Sequence, residues 1–112
     1  MKNNYIVNTA KTMADLYTLM QNHTDITPLA GTTGLLKDCH TDRFLLPESI
    51  LFLKNLPELE TIAKRERFID FGAAATLNTI LELGEKNVPQ ILYQAISLAA
   101  NPGVRSLATI GG

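Results

Sequence analysis

A chain of 112 residues, 46% apolar and 19% charged, suffices for one domain or two small lobes around a modest core. A formal net charge of −1 removes the electrostatic reason to expect nucleic acid or an anionic membrane as a partner. The single cysteine, Cys39, excludes an intrachain disulfide and fits a reducing compartment.

In chain order, Tyr5-Ile6-Val7 reads as a short strand. The residues before it lack the apolar stretch of a secretory leader, and no apolar run reaches the length of a membrane span, so a cytoplasmic location is expected. Thr12 opens a helix as its cap, with Asp15 three residues on. Met13, Leu16, Leu19 and Met20 then recur at helical spacing and predict a buried face over residues 13–22. Ile26 to Ala30 predicts a second strand, which runs into the polar turn Gly31-Thr32-Thr33-Gly34 and a short helix from Leu35. This succession suggests a small parallel β/α unit. Residues 37–48 are polar and irregular, and Ser49 to Leu53 is apolar enough for a central strand.

After Pro57, the segments Leu59–Ile62 and Arg67–Phe71 alternate, predicting a hairpin through Lys64-Arg65-Glu66. The basic residues there are interrupted by Glu66 and read as a solvated turn. Gly72 to Ala75 is small and flexible. Thr76 caps a helix carrying Leu77, Ile80 and Leu81 on one face, and Gly84 suits its C-terminal turn. Pro89 belongs in the first turn of another helix, with Ile91, Leu92, Ala95, Ile96 and Ala99 buried. The last segment, Val104 to Ile110, is apolar and β-like and ends on Gly111-Gly112. Leu107 and Ile110 are placed for strand partners, so the chain reads as cut short there.

Two segments carry candidate chemistry. Around Gly31 to Gly34, small residues let backbone N–H groups approach a phosphate, and the Thr32 and Thr33 hydroxyls add donors. At Ala108-Thr109-Ile110-Gly111-Gly112, paired glycines again permit close backbone approach to a ligand. Alone, each pattern is more often an ordinary turn. Elsewhere there is no paired-carboxylate site and no nucleophile–base arrangement. Asp38, Cys39, His40 and Asp42 cluster, but in no zinc spacing, and read as a polar loop. Arg105 is placed either to reach an anion or to make a structural salt bridge.

Taken together and in order, these segments resemble a known family. Pro28 to Leu36 is similar to the Ala-Gly-Gly-Thr-Asp-Leu-Leu signature of the FAD-binding medium subunits of molybdenum hydroxylases, the xanthine, carbon monoxide and nicotinate dehydrogenase type. Leu56-Pro57-Glu58-Leu59 resembles its Ile-Pro-Glu-Leu step, and Phe71-Gly72-Ala73 with Thr76 its Ile-Gly-Ala and Thr positions. Val104 to Gly112 resembles its Ile-Arg-Asn-x-Ala-Thr-Ile-Gly-Gly stretch. Thr32 stands where the family has its second glycine, Gly34 where it has aspartate, Ser106 where it has asparagine, and Phe52 where an aspartate is frequent.

The resemblance implies an α+β, two-lobed, PCMH-type FAD-binding fold. Residues 1–56 would form a small parallel β/α lobe, and residues 57–112 the beginning of an antiparallel-sheet lobe. It implies FAD as cofactor, with Leu29, Ala30, Gly31, Thr32, Thr33, Gly34 and Leu35 in a first loop and Thr109, Ile110, Gly111 and Gly112 in a second. It implies electron passage from iron–sulfur clusters through FAD to NAD or another acceptor, beside a molybdopterin-binding subunit and a 2Fe–2S subunit. No catalytic residue and no metal ligand is expected in this chain, and exposed strand edges would favour self-association. As an N-terminal fragment the chain is expected to hold FAD weakly or not at all. Two other readings stay open at this stage: a truncated domain without flavin, and a module binding another phosphate-bearing ligand.

Overall fold

The computed structural model describes residues 6–31 and 48–112. Within them, β1 (Ile6–Thr9), α1 (Met13–Asn22), β2 (Thr27–Leu29) and β3 (Ser49–Phe52) form a three-stranded parallel sheet with a helix. The order is β1-β3-β2, with Val7 opposite Ile50 and Pro28 opposite Leu51. The most apolar strand, β3, therefore lies in the middle. Pro28, which has no N–H for a second neighbour, lies on an edge.

Thr12 caps α1 as its sequence suggests, its hydroxyl accepting from the Asp15 N–H at 3.1 Å. The face of α1 that packs is Met13, Leu16 and Leu19; Met20 is rotated out and 46% exposed. These side chains meet Ala10 and the fully buried Leu51 and Leu56, and Ile26, Leu53 and Leu59 complete this first core.

The second part holds α2 (Pro57–Glu60), β4 (Ile62–Lys64), β5 (Ile69–Phe71), α3 (Leu77–Glu82), α4 (Gln90–Leu98) and α5 (Pro102–Arg105). β4 and β5 pair antiparallel, with Ala63 opposite Asp70. Arg65 closes their turn twice, through its N–H to the Phe68 carbonyl and through its side chain to Asp70, both at 2.8 Å. A second core forms around the fully buried Ile80 with Val88 and Ile96, against Ile62, Phe71, Leu77, Leu92 and Tyr93.

Four expectations are corrected here. Leu59 lies in a helical turn, because Pro57 at the first helical position has the φ that a helix needs, and the strand starts only at Ile62. Gly72 is no flexible spacer: its N–H donates to the Thr61 carbonyl at 2.8 Å, and an added Cβ would lie 2.9 Å from that same oxygen. On α4, which starts one residue after Pro89, Leu92, Tyr93 and Ile96 face the core. Ile91, Ala95 and Ala99 are exposed, because α4 has the core on one side only. The C-terminal run is not a strand. Pro102 and the Asn101 cap (Val104 N–H to Asn101 Oδ1, 2.9 Å) start α5, and the rest makes one bridge, Thr109 opposite Thr76.

Candidate functional site

β2 and β3 run in the same direction, so their carboxyl ends deliver Leu29-Ala30-Gly31 and Phe52-Leu53-Lys54 side by side. The Leu53 N–H extends the pairing to the Leu29 carbonyl at 2.9 Å. Open parallel sheets bind ligands outside these ends. The facing wall comes from the second part of the chain. The Leu77 N–H donates to the Ala108 carbonyl (2.9 Å), the Ile110 N–H to Ala75 (3.0 Å) and the Gly111 N–H to Ala73 (2.8 Å). Between the walls lies a cleft of about 320 Å³. Ala30, Gly31 and Lys54 line one side, and Thr76, Ser106, Leu107 and Thr109 line the other.

The two glycine segments touch. A Cβ added to Gly31 would collide with the Leu107 carbonyl oxygen and lie 3.2 Å from the Ala108 Cα. Gly31 is thus required by close approach of two backbones, and its φ is not in the left-handed region. Gly111 does the same on the far side of the second loop, where a Cβ would lie 2.7 Å from the Ala73 oxygen.

Of the residues singled out in the sequence, Ala30, Gly31 and Thr109 meet at this cleft. Leu29 ends β2, is half-buried and does not line the cleft. Thr32, Thr33, Gly34 and Leu35 lie outside the described residues, as do Asp38, Cys39, His40 and Asp42. Ile110, Gly111 and Gly112 do not line the cleft; their N–H groups donate to Ala75, Ala73 and Thr109 (3.2 Å for the last). The Thr109 hydroxyl donates to the Gly112 carbonyl at 2.8 Å and ties the loop to itself.

Arg105 takes neither role expected of it. Its Nη1 lies 3.2 Å from each of the Ser97, Ala99 and Ala100 carbonyl oxygens, at the end of α4.

Among the lining residues that the sequence did not place in either loop, Leu53 and Lys54 follow from the carboxyl-end rule once β3 is assigned, and tertiary packing brings in Glu60 and Ala74; Phe52, Thr76 and Ser106 stood out in the sequence as family positions, not as lining. Lys54 also walls a neighbouring hollow of about 400 Å³ with Lys11 and Asn55. No group of three or more His, Cys, Asp or Glu able to hold a metal occurs among the described residues. What the arrangement offers is binding: bare backbone, hydroxyls, one carboxylate and lysine charge around a partly apolar slot.

A family model for the FAD binding domain in molybdopterin dehydrogenase matches residues 3–112. The nicotinate dehydrogenase FAD-subunit of Eubacterium barkeri is 34% identical over 110 residues, which cover 91% of this chain and 35% of that protein. The backbone superposes on a chain of reconstituted CO dehydrogenase from Oligotropha carboxidovorans with a TM-score of 0.81 at 24% identity, covering 100% of this chain and 40% of that one. Carbon monoxide dehydrogenase from Hydrogenophaga pseudoflava gives 0.78 at 27% identity, covering 100% and 39%. Quinoline 2-oxidoreductase from Pseudomonas putida 86 gives 0.78 at 24% identity, covering 100% and 40%. This chain therefore spans 35% to 40% of the length of these proteins.

Proposed function

Because this chain belongs to the FAD-binding domain family of molybdopterin dehydrogenases, we propose that its cleft receives the diphosphate of FAD. The protein would then be the flavin-bearing part of a molybdenum hydroxylase, passing electrons from iron–sulfur clusters to NAD or another acceptor. The observation that carries the reading is the contact of Gly31 with Leu107 and Ala108, which brings the two small-residue loops to one slot. A diphosphate needs a nearby cation, which Lys54 on the cleft wall supplies, while the Gly31 contact draws the two loops together around the slot. FAD, when bound, supplies the one- and two-electron chemistry; the chain's residues bind it, orient it and keep water from it.

In this proposal Leu29, Ala30, Gly31, Thr32, Thr33, Gly34 and Leu35 form the first loop, and Thr109, Ile110, Gly111 and Gly112 the second. Phe52, Leu53 and Leu107 provide apolar wall. The lobes divide as residues 1–56 and 57–112; the presence of two cores supports two lobes, with Leu59 from the second range packing in the first core. The partners are a molybdopterin-binding subunit and a 2Fe–2S subunit, in the cytoplasm. The name of the Eubacterium barkeri relative, an FAD-subunit, supports an assembly of this kind. So do the exposed Ile91 and Leu98 on α4; the exposed Ile6 and Val7 on the β1 edge would equally serve self-association.

A second reading has its own support: the amides of Ile110, Gly111 and Gly112 already donate within the protein, which favours a domain that holds flavin weakly or not at all. One experiment separates the two. The purified protein is mixed with excess FAD and desalted, and its absorbance spectrum recorded. Retained flavin bands establish the first reading, and a colourless protein the second.

A further inference from the structure

We infer that Arg105 is a positioning residue of the cleft: it anchors the root of the second glycine loop to the end of α4 and is not itself a ligand of the bound anion. The inference rests on reading the cleft as an FAD site.

Helix α4 ends with carbonyls that have no partner inside the helix, and its last turn holds no basic residue. The cation comes instead from α5. Nη1 of Arg105 reaches three carbonyls with two hydrogens, so at least one bond is shared. Ala100, at φ 55°, takes the left-handed conformation that brings these oxygens around one point. Positive charge at a helix C-terminus is also favoured by the helix dipole.

From this anchor the chain leads directly to the cleft. The Ser106 N–H donates to the Pro102 carbonyl (3.1 Å), and the Leu107 and Ala108 N–H groups donate to Val104 (3.0 and 2.8 Å). Leu107 then offers the carbonyl against which Gly31 packs. Ser106 and Leu107 line the cleft, whereas Arg105 does not. Its guanidinium is turned to the carbonyls of α4, and its buried Nε has no partner among the described residues.

The test compares Arg105→Met, which keeps the length but not the donors, with Arg105→Lys, which keeps charge and donors. Backbone amide exchange is measured on the purified protein without FAD, and FAD is titrated at low and high salt. For Arg105→Met, exchange at residues 106–111 rises about tenfold while β3 and α1 keep wild-type protection. Its FAD affinity falls about tenfold with an unchanged salt dependence, and Arg105→Lys restores both. A flattened salt dependence would make Arg105 an anion ligand and overturn the inference. So would accelerated exchange throughout the chain, or a Lys variant that behaves like the Met variant. Failure of the wild-type protein to bind FAD would sink the flavin reading alone, since the exchange arm needs no ligand.

Discussion

Replacing Gly31 by alanine tests the contact between the loops at its tightest point. The new methyl would fall on the Leu107 carbonyl oxygen, with the Ala108 Cα and the Leu107 carbonyl carbon each 3.2 Å away. All three are backbone atoms, so no side chain can rotate aside. Forced overpacking of this kind costs about 1–3 kcal/mol. If the free protein bears the strain, Tm falls by roughly 4–8 °C per kcal/mol for a domain of this size. If the loops part to relieve it, the cost returns when they must close on FAD, and affinity falls about 5- to 150-fold. Thermal unfolding and FAD titration of the same sample capture both routes. Gly103→Ala is the comparison: a Cβ there lies 3.3 Å from the Asn101 Oδ1, a side-chain atom that can shift by a few tenths of an ångström although it also caps α5, so the change should cost less than the Gly31 change. A Gly31→Ala protein with wild-type Tm and wild-type FAD affinity would refute the reasoning.

Three further outcomes follow from the same structure. Lys54→Glu reverses the charge on the wall shared by the cleft and its neighbouring hollow, and should weaken FAD binding about tenfold at low salt and less at high salt; equal weakening at both would argue against an electrostatic role. Ile80→Ala empties the centre of the second core, where the side chain is fully buried, and should cost about 2–5 kcal/mol in a urea titration. Asp70→Asn breaks the Arg65 pair, whose side chains are 59% and 54% exposed, so the loss should be under about 1 kcal/mol by the same titration.

Local chemistry was legible from the residues. The Thr12 cap, the limits of α1, the β3 strand, the Thr76 cap and the turn at Gly84 (φ 92°) all rest on side chains or backbone freedom that act within a few positions. What was misread depends on distant neighbours. The apolar residues of α4 occupy both of its faces, and periodicity alone does not say that Leu92 and Ile96 face the core while Ile91 and Leu98 face outward. Val104 to Ile110 has strand-forming composition, but Asn101 and Pro102 just before it start a helical turn. The cleft was half legible: its glycines announce close approach, yet Lys54, Glu60 and Ser106 reach it only through the packing of one part of the chain on the other. Arg105 read as an anion contact or a salt-bridge partner because the carbonyls it serves belong to a helix that ends several residues earlier.

The strand order β1-β3-β2 also governs when this fold can appear. β1 and β2 never pair with each other; each pairs only with β3. A nascent chain that has left the ribosome as far as β2 therefore possesses α1 and two apolar strands with nothing to pair them. Only when Ser49–Phe52 emerges can the sheet close, in one step that joins segments far apart in the chain. Until then the backbone edges of β1 and β2 that pair with β3 are open to other chains, and this interval is where chaperone dependence or misassembly during synthesis would concentrate.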